Sequence, residues 1–347
     1  MRSVEPEVFL VARPKVDYEA MAAYLREVGG ERWLERLDRD QLGNDAQDLA
    51  EFAGKICYRS WEPGLNPNVR KTRDDQDAYL QNILRQQHGS VLEHVSFSFV
   101  LHNVSRVFTH ELARHRPGTA ISQESLRYVR LDELPFWFPD WAREDAELMK
   151  RATALLAELE EFQQWMAGHF GLDDDATKMH EKKLKTSFMR RFAPEGVATG
   201  LVWTANIRTL RHTIEARTDQ GAEEEIRLVF GKIGEIMLTE APALFGDYTV
   251  TDGTWVPGWR KVLPEVRARL VYLAAQVVVD QVARGAEFVE HPRRPADHRI
   301  RPAHVDVPVG PGRLRGQFRH GAVHDVFRHG AVHDLPGRLV RHRRDDL

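Results

Sequence analysis

The chain has 347 residues, 42% of them hydrophobic and 29% charged, with a formal net charge of −3; that length allows two domains or one large one. No apolar run approaches the roughly 20 residues that a membrane-crossing helix needs, and the acidic start around Glu5 and Glu7 does not read as a signal peptide, so a cytoplasmic location is the default expectation. A single cysteine, Cys57, excludes an internal disulfide and any multi-cysteine metal site.

In chain order, residues 9–12 read as a strand, 18–37 as a helix interrupted at Gly29-Gly30, and 47–56 as a second helix that buries Cys57 beyond its end as a small hydrophobe. His88-Gly89-Ser90 opens a turn, and residues 95–100 alternate with period two, as a half-buried strand should. Val104, Val107, Phe108 and Leu112 follow helical spacing, and Pro117-Gly118 is a stop signal, because the residue before a proline is pushed out of the helical region. This places Arg114, His115 and Arg116 in the last turn of a helix. Cations there are favoured by about 0.3–1 kcal/mol without any ligand, but that does not account for Ser122-Gln123-Glu124-Ser125-Leu126-Arg127, which follows directly. Together the two stretches suit the grip of phosphates and a polar heterocycle.

Residues 140–170 form a long amphipathic segment whose stripe, Leu148, Leu155, Leu156, Leu159, Phe162 and Trp165-Met166, is expected to pack into the core. Gly171 to Asp175 ends it, and a further helix from Ala176 carries Lys182, Lys183, Lys185, Arg190 and Arg191, by default a solvated face. Asn206 is a good N-cap for a helix running to about Thr218, whose exposed first-turn N–H groups and Arg208 suit an anion. Arg208, His212 and Glu215 share one face of that helix, and Asn206, Leu210, Thr213 and Arg217 roughly the opposite one. The bland alternative is that Arg208 and Arg217 pair with Asp219, Glu223 or Glu224. Residues 261–290 read as a C-terminal helix with Leu263, Val266, Leu270, Leu273 and Val277 on one stripe. Residues 291–347 hold 12 Arg against 6 Asp, no Lys or Glu, and 8 of the 16 His, with a short duplication at Phe318 and Phe327. So few large apolar residues predict a tail without a fixed fold, and Gly321 and Gly330 argue against a helical His pair binding metal. No metal is expected elsewhere. No Gly-x-Gly-x-x-Gly or Walker loop is present, and an acidic body without an aromatic platform argues against a nucleic-acid partner.

The triplet Arg114-His115-Arg116, followed by a spacer and then Ser125-Leu126-Arg127-Tyr128, resembles the signature of the flavin-dependent thymidylate synthases. The spacer is one residue longer than is usual in that family, which leaves open whether Gln123 or Glu124 takes its acidic or amide position, and Gly221 stands where the family often has a histidine. Further blocks in the right order are His88 to His94, Arg190 to Pro194, and Trp203 to Arg227. The resemblance implies an α/β (α+β) fold with a curved, largely antiparallel sheet flanked by helices, residues 1–260 being the catalytic domain. It implies conversion of dUMP to dTMP with methylenetetrahydrofolate as carbon donor and NADPH as reductant of FAD, in a homotetramer with sites shared between subunits. Flavin chemistry of this kind needs no thiol, so Cys57 is not required as a nucleophile. As the family's substrate residues it implies Glu111, Arg114, Gln123, Glu124, Ser125, Leu126, Arg127, Arg190 and Arg217, with Arg217 catalytic. FAD would take His88, Ser90, Arg114, His115, Arg116, Gln123, Asn206, Arg208 and His212. The alternative is a non-catalytic flavin- or nucleotide-binding relative.

Overall fold

A computed structural model describes residues 1–39, 44–129 and 133–258, with two dipeptide strands further on. The first three stretches lie in one compact unit, Met1–Gln276. The second unit, Val277–Leu347, contributes only the antiparallel pair Val307–Pro308 and Arg313–Leu314. Apart from those strands, the helix expected over 261–290 and the tail expected over 291–347 lie outside the described residues.

The centre of the fold is a four-stranded sheet of β2 (Glu7–Ala12), β3 (Ser96–Ser105), β6 (Ala198–Asn206) and β4 (Thr119–Gln123), in that order and antiparallel throughout. Strand alternation builds its buried face: Phe97, Phe99 and Leu101 stand opposite Ala205, Trp203 and Leu201, and all six are buried. The register shifts between Leu101 and Val104, where Asn103 takes φ 57, a left-handed conformation that asparagine tolerates better than most residues. β1 (Arg2–Ser3) and β5 (Pro135–Phe136) form a separate parallel pair, and β7 (Thr249–Thr251) and β8 (Thr254–Val256) a hairpin.

Helices α3 (Asp45–Ile56), α4 (Gln76–Arg85), α9 (Ile207–Arg217), α10 (Glu224–Glu240) and the short α11 (Pro242–Phe245) contribute buried residues to the same core as the sheet. Each start has a chemical cause: Asn44, Asp75, Asn206 and Glu223 accept backbone N–H bonds from the first turns of α3, α4, α9 and α10. The interruption expected at Gly29-Gly30 separates α1 (Tyr18–Val28) from α2 (Glu31–Arg39), with Gly29 at φ 78 as a left-handed cap.

Several expectations need correction. Helix α5 (Arg106–Leu112) ends before the cationic triplet, so Arg114, His115 and Arg116 lie in the turn beyond it and not in its last turn. The spacer after Pro117 holds β4, a paired strand, and β6 carries the downstream block into α9. The segment 140–170 is two helices, α6 (Asp140–Glu144) and α7 (Ala146–His169), divided at Asp145, which caps the second. On α7 only part of the apolar stripe is buried: Leu156 and Met166 face inward, whereas Leu155 and Trp165 are each 59% exposed and Leu148 and Phe162 lie outside with them. Helix α8 (Met179–Met189) starts three residues later than expected, and Arg190 and Arg191 fall in a 3-10 turn after it. Cys57 is exposed, with its thiol donating to the Ala53 carbonyl at 3.7 Å.

Candidate functional site

Helix α9 is the axis of the site, and its two faces serve different surroundings. On one face Arg208, His212 and Glu215 line a cavity of about 480 Å³ with Gln87, His88 and Gly89 from the turn before β3. Gly89 lets the Arg208 side chain lie close over the turn: a Cβ on it would lie 2.9 Å from Arg208 Nε. Arg208 is held by an ion pair with Glu93 of the same turn. Ser90 is exposed next to Gly89.

On the other face Arg217 donates from Nη1 to Glu111 at 2.7 Å and from Nε to His115 Nε2 at 2.7 Å. The alternative pairing of Arg208 and Arg217 with Asp219, Glu223 or Glu224 is therefore not what the structure adopts. Burial, with Arg217 and His212 beside it, pushes His115 down to about 4. The imidazole is neutral at physiological pH, and because Nε2 accepts, its proton sits on Nδ1 as a free donor. The His115 and His212 rings, 5.8 Å apart, join the two sides of the helix.

The turn that carries the triplet is tied to the start of α9. Thr209 Oγ1 donates to the Pro117 carbonyl at 2.6 Å, Asn206 N–H to the Gly118 carbonyl at 3.0 Å, and Asn206 Oδ1 caps Thr209 N–H at 2.9 Å. Arg114 and Arg116 are exposed on this turn and form no ion pair with another described residue. Uncompensated cations on such a turn suit an anionic ligand.

The Gln123 to Arg127 strip lies along β6. Glu124 is turned back to the sheet, accepting Gly200 N–H at 3.2 Å, whereas the buried Gln123 Nε2 has no partner. Gln123 therefore has hydrogen-bonding capacity to spare, whereas the Glu124 carboxylate is engaged with the sheet. Ser125 Oγ accepts Arg127 N–H at 3.3 Å, and no described histidine or carboxylate bonds to it. Leu126 and Arg190 line a small cavity of about 70 Å³, and Thr186 Oγ1 donates to the Arg127 carbonyl at 2.9 Å. The Arg127 guanidinium lies 5.9 Å from the Tyr128 ring.

Two residues not singled out from the sequence hold this frame. Arg211 donates to both Asp247 oxygens, at 2.7 and 2.8 Å, and packs on Tyr248, fixing the buried side of α9. Glu225, 2% exposed, accepts both the N–H and the hydroxyl of Ser105, the N-cap of α5. Neither has a sequence signal, because both depend on partners far along the chain. Burial pushes the Glu225 carboxyl up to about 7, the Ser105 bonds opposing it. A carboxyl raised above its unfolded value near 4.5 adds stability that is full below that value and lost as pH rises through 7. His115, depressed, acts in the opposite sense as pH falls from 6.5 to 4. Melting wild type and Glu225→Gln from pH 5 to 8 isolates the first effect: the wild type is expected to lose ground to the variant as pH rises. A constant difference would show that the carboxyl does not titrate in this window.

The family profile described as "Thymidylate synthase complementing protein" matches residues 40–243. The flavin-dependent thymidylate synthase of Mycobacteroides abscessus is 34% identical over 219 residues, covering 60% of this chain and 83% of that protein. The enzyme of the same description from Mycobacterium tuberculosis H37Rv is 35% identical over 215 residues with the same coverage. Among solved structures, the UMP/dUMP methylase PolB from Streptomyces cacaoi, bound with 5-Br dUMP, aligns with a TM-score of 0.50 at 17% identity, over 71% of this chain and 96% of that one. That likeness concerns the fold.

Proposed function

The chain belongs to the Thy1 family of flavin-dependent thymidylate synthases, and we propose that it forms dTMP from dUMP with methylenetetrahydrofolate as carbon donor and NADPH as reductant of FAD. The observation that carries this reading is the pair of faces on α9, one lining a polar cavity with His88 and the other holding Arg217 against Glu111 and His115. The catalytic reading is preferred to a non-catalytic relative because the signature residues are present and the turn that carries their Arg114 to Arg116 half is tied to α9.

FAD would be held by His88, Ser90, Arg208 and His212 at the cavity, with Asn206 and the Arg114, His115 and Arg116 turn beside it and Gln123 reaching from the strip. When bound and reduced, the flavin supplies the hydride equivalent of the reaction. The chain's own residues bind and orient. Arg127, Arg190 and Ser125 would hold the nucleotide phosphate, with Leu126 and Glu124 shaping the strip. Gln123, with its spare amide, would reach the base. Arg217 would face the pyrimidine edge and stabilise negative charge on the N3-deprotonated base, kept in place by Glu111. Sites shared between the subunits of a homotetramer would let both faces of α9 serve ligands, and the apolar outer stripe of α7 is consistent with burial by another subunit. No described helix is long and apolar enough to cross a membrane, and a cytoplasmic location fits the substrates.

The test is direct. Purified protein is expected to show flavin absorbance and to convert dUMP to dTMP when given the folate donor and NADPH, and Cys57→Ala is expected to keep most of that activity. A colourless protein that gains no thermal stability from FAD would sink the reading, since a ligand at 100 times its Kd adds about 2.7 kcal/mol. Loss of turnover in a folded, flavin-loaded Cys57→Ala would instead revive attack by a thiolate.

A further inference from the structure

The loop between α3 and α4, residues 57–75, keeps its cations apart from its carboxylates. Glu62 accepts the Arg32 N–H at 3.1 Å, Asp74 pairs with the Arg32 guanidinium at 3.1 Å, and Asp75 caps α4 through Ala78 N–H at 2.6 Å. Arg59, Arg70, Lys71 and Arg73 are all exposed, and none forms an ion pair or a side-chain hydrogen bond with another described residue.

The loop that carries them is firmly built. The Lys55 ammonium, 1% exposed, donates to the Ser60 carbonyl at 3.5 Å and to the Arg73 carbonyl at 3.0 Å, drawing the two ends of the loop onto one buried point. Arg59 and Arg73 therefore start from neighbouring backbone. Between them the chain folds back on itself, with Asn66 Nδ2 donating to the Tyr58 carbonyl at 2.8 Å and Gly64 N–H to the Val69 carbonyl at 3.2 Å. Arg70 and Lys71 follow that fold directly. Like charges gathered on one loop raise the local concentration of anions, and a guanidinium fork matches a phosphate in planarity and donor spacing.

Helix α4 fixes where such an anion would lie. It starts where the loop ends and runs for 10 residues, about 15 Å at about 1.5 Å per residue, towards Ile83, Leu84 and Gln87, which line the cavity that takes the flavin in the proposal above. The basic loop and the flavin cavity thus stand at opposite ends of one helix, a separation that an extended dinucleotide bridges. The residues assigned above take FAD and dUMP and leave the reductant without a site. NADPH differs from NADH by a phosphate on the adenosine 2′-hydroxyl, a group that arginine accommodates.

We propose that the loop cations Arg59, Arg70, Lys71 and Arg73 bind the 2′-phosphate of NADPH, with the nicotinamide reaching along α4 to the flavin cavity. This rests on the reading that NADPH reduces FAD, and adds to it the place where the reductant is recognised. The loop binds and selects; it takes no part in the chemistry.

Anaerobic bleaching of the flavin absorbance by NADPH and by NADH tests it on the flavin-loaded enzyme. The wild type is expected to be half-saturated at a lower concentration of NADPH than of NADH, with the gap narrowing as salt is raised, because exposed cations are screened. Replacing three of the cations together, Arg70→Gln, Lys71→Gln and Arg73→Gln, is expected to raise the half-saturating NADPH concentration about 10-fold, the loss of one charged hydrogen bond. NADH is expected to stay within twofold, with flavin content and dUMP affinity unchanged. If the triple variant does not fold, Arg70→Gln and Lys71→Gln singly carry the test, each with a several-fold rise for NADPH only. A wild type that does not distinguish NADPH from NADH, equal losses for the two, or a rise in KM confined to methylenetetrahydrofolate, whose glutamate carboxylates are also anionic, would each overturn the assignment. A flavin bleached by neither nucleotide would bring down the reductant reading itself, which separates the two failures.

Discussion

Replacing Arg217 with alanine is expected to lower kcat/KM for dTMP formation by about 10²–10³, the usual loss when a donor aimed at developing charge is removed. The side chain comes from the last turn of α9 and is held by Glu111 and His115 at 2.7 Å each, so its orientation is fixed before any ligand arrives. Arg217→Lys keeps the charge but not the two-point hold, and is expected to fall between wild type and the alanine variant. Flavin content separates a chemical defect from a folding one, since the cavity face of the helix is untouched. His115 provides an independent readout: without Arg217 one of the influences depressing it is gone, and its titration followed by NMR is expected to move upward while burial still holds it below the ordinary value. An Arg217→Ala enzyme within threefold of wild-type turnover would remove this residue from the reaction.

The second large effect is expected at Gly118, from a single added methyl group. Gly118 has φ +69, and a Cβ there would run into the Asn206 amide and lie 2.6 Å from Thr209 Oγ1. Gly118→Ala is therefore charged twice, about 1–2 kcal/mol for a left-handed alanine and about 1 kcal/mol for a disturbed N-cap. At about 2–4 °C per kcal/mol for a unit of this size, the melting temperature is expected to fall by about 5–10 °C, and flavin affinity with it, because the Arg114 to Arg116 turn would no longer be stitched to α9. Gly64 is the internal control: it has φ +93 but nothing within 4 Å of its missing Cβ, so Gly64→Ala feels the backbone strain alone. Equal melting shifts for the two variants would show that the contact with Asn206 does not matter.

What could be read in advance depended on whether the cause was local. Asn206 capping a helix, the break at Gly29, and the alternation of Phe97 and Phe99 are each decided within a few residues, and the structure has all three. Strand β4 was hidden because its reason for existing is β6, far along the chain, and Thr119 to Gln123 alone carries no strong strand pattern. Pro117 signals a stop, but α5 already closes at Leu112, and what fixes the turn beyond it is again distant, the hydrogen bonds from Thr209 and Asn206 to the Pro117 and Gly118 carbonyls. On α7 the apolar spacing marks a helix but does not tell inner from outer rows, since Leu155 and Leu156 are adjacent in sequence and opposite in exposure.

Helix α9 also works as a gauge. From Arg208 to Arg217 an α-helix spans about 13–14 Å, at about 1.5 Å per residue, and the buried clamp of Arg211 on Asp247 keeps the rod from sliding. Substitutions along it alter one fitting at a time. Inserting or deleting one residue between the two arginines would change their spacing by only about 1.5 Å yet swing one relative to the other by about 100°, turning one anchor away from its partners. Tolerance to changes of length should therefore vanish between Asn206 and Arg217 and return in the turn that follows, a boundary that a scan of single-residue insertions would trace directly.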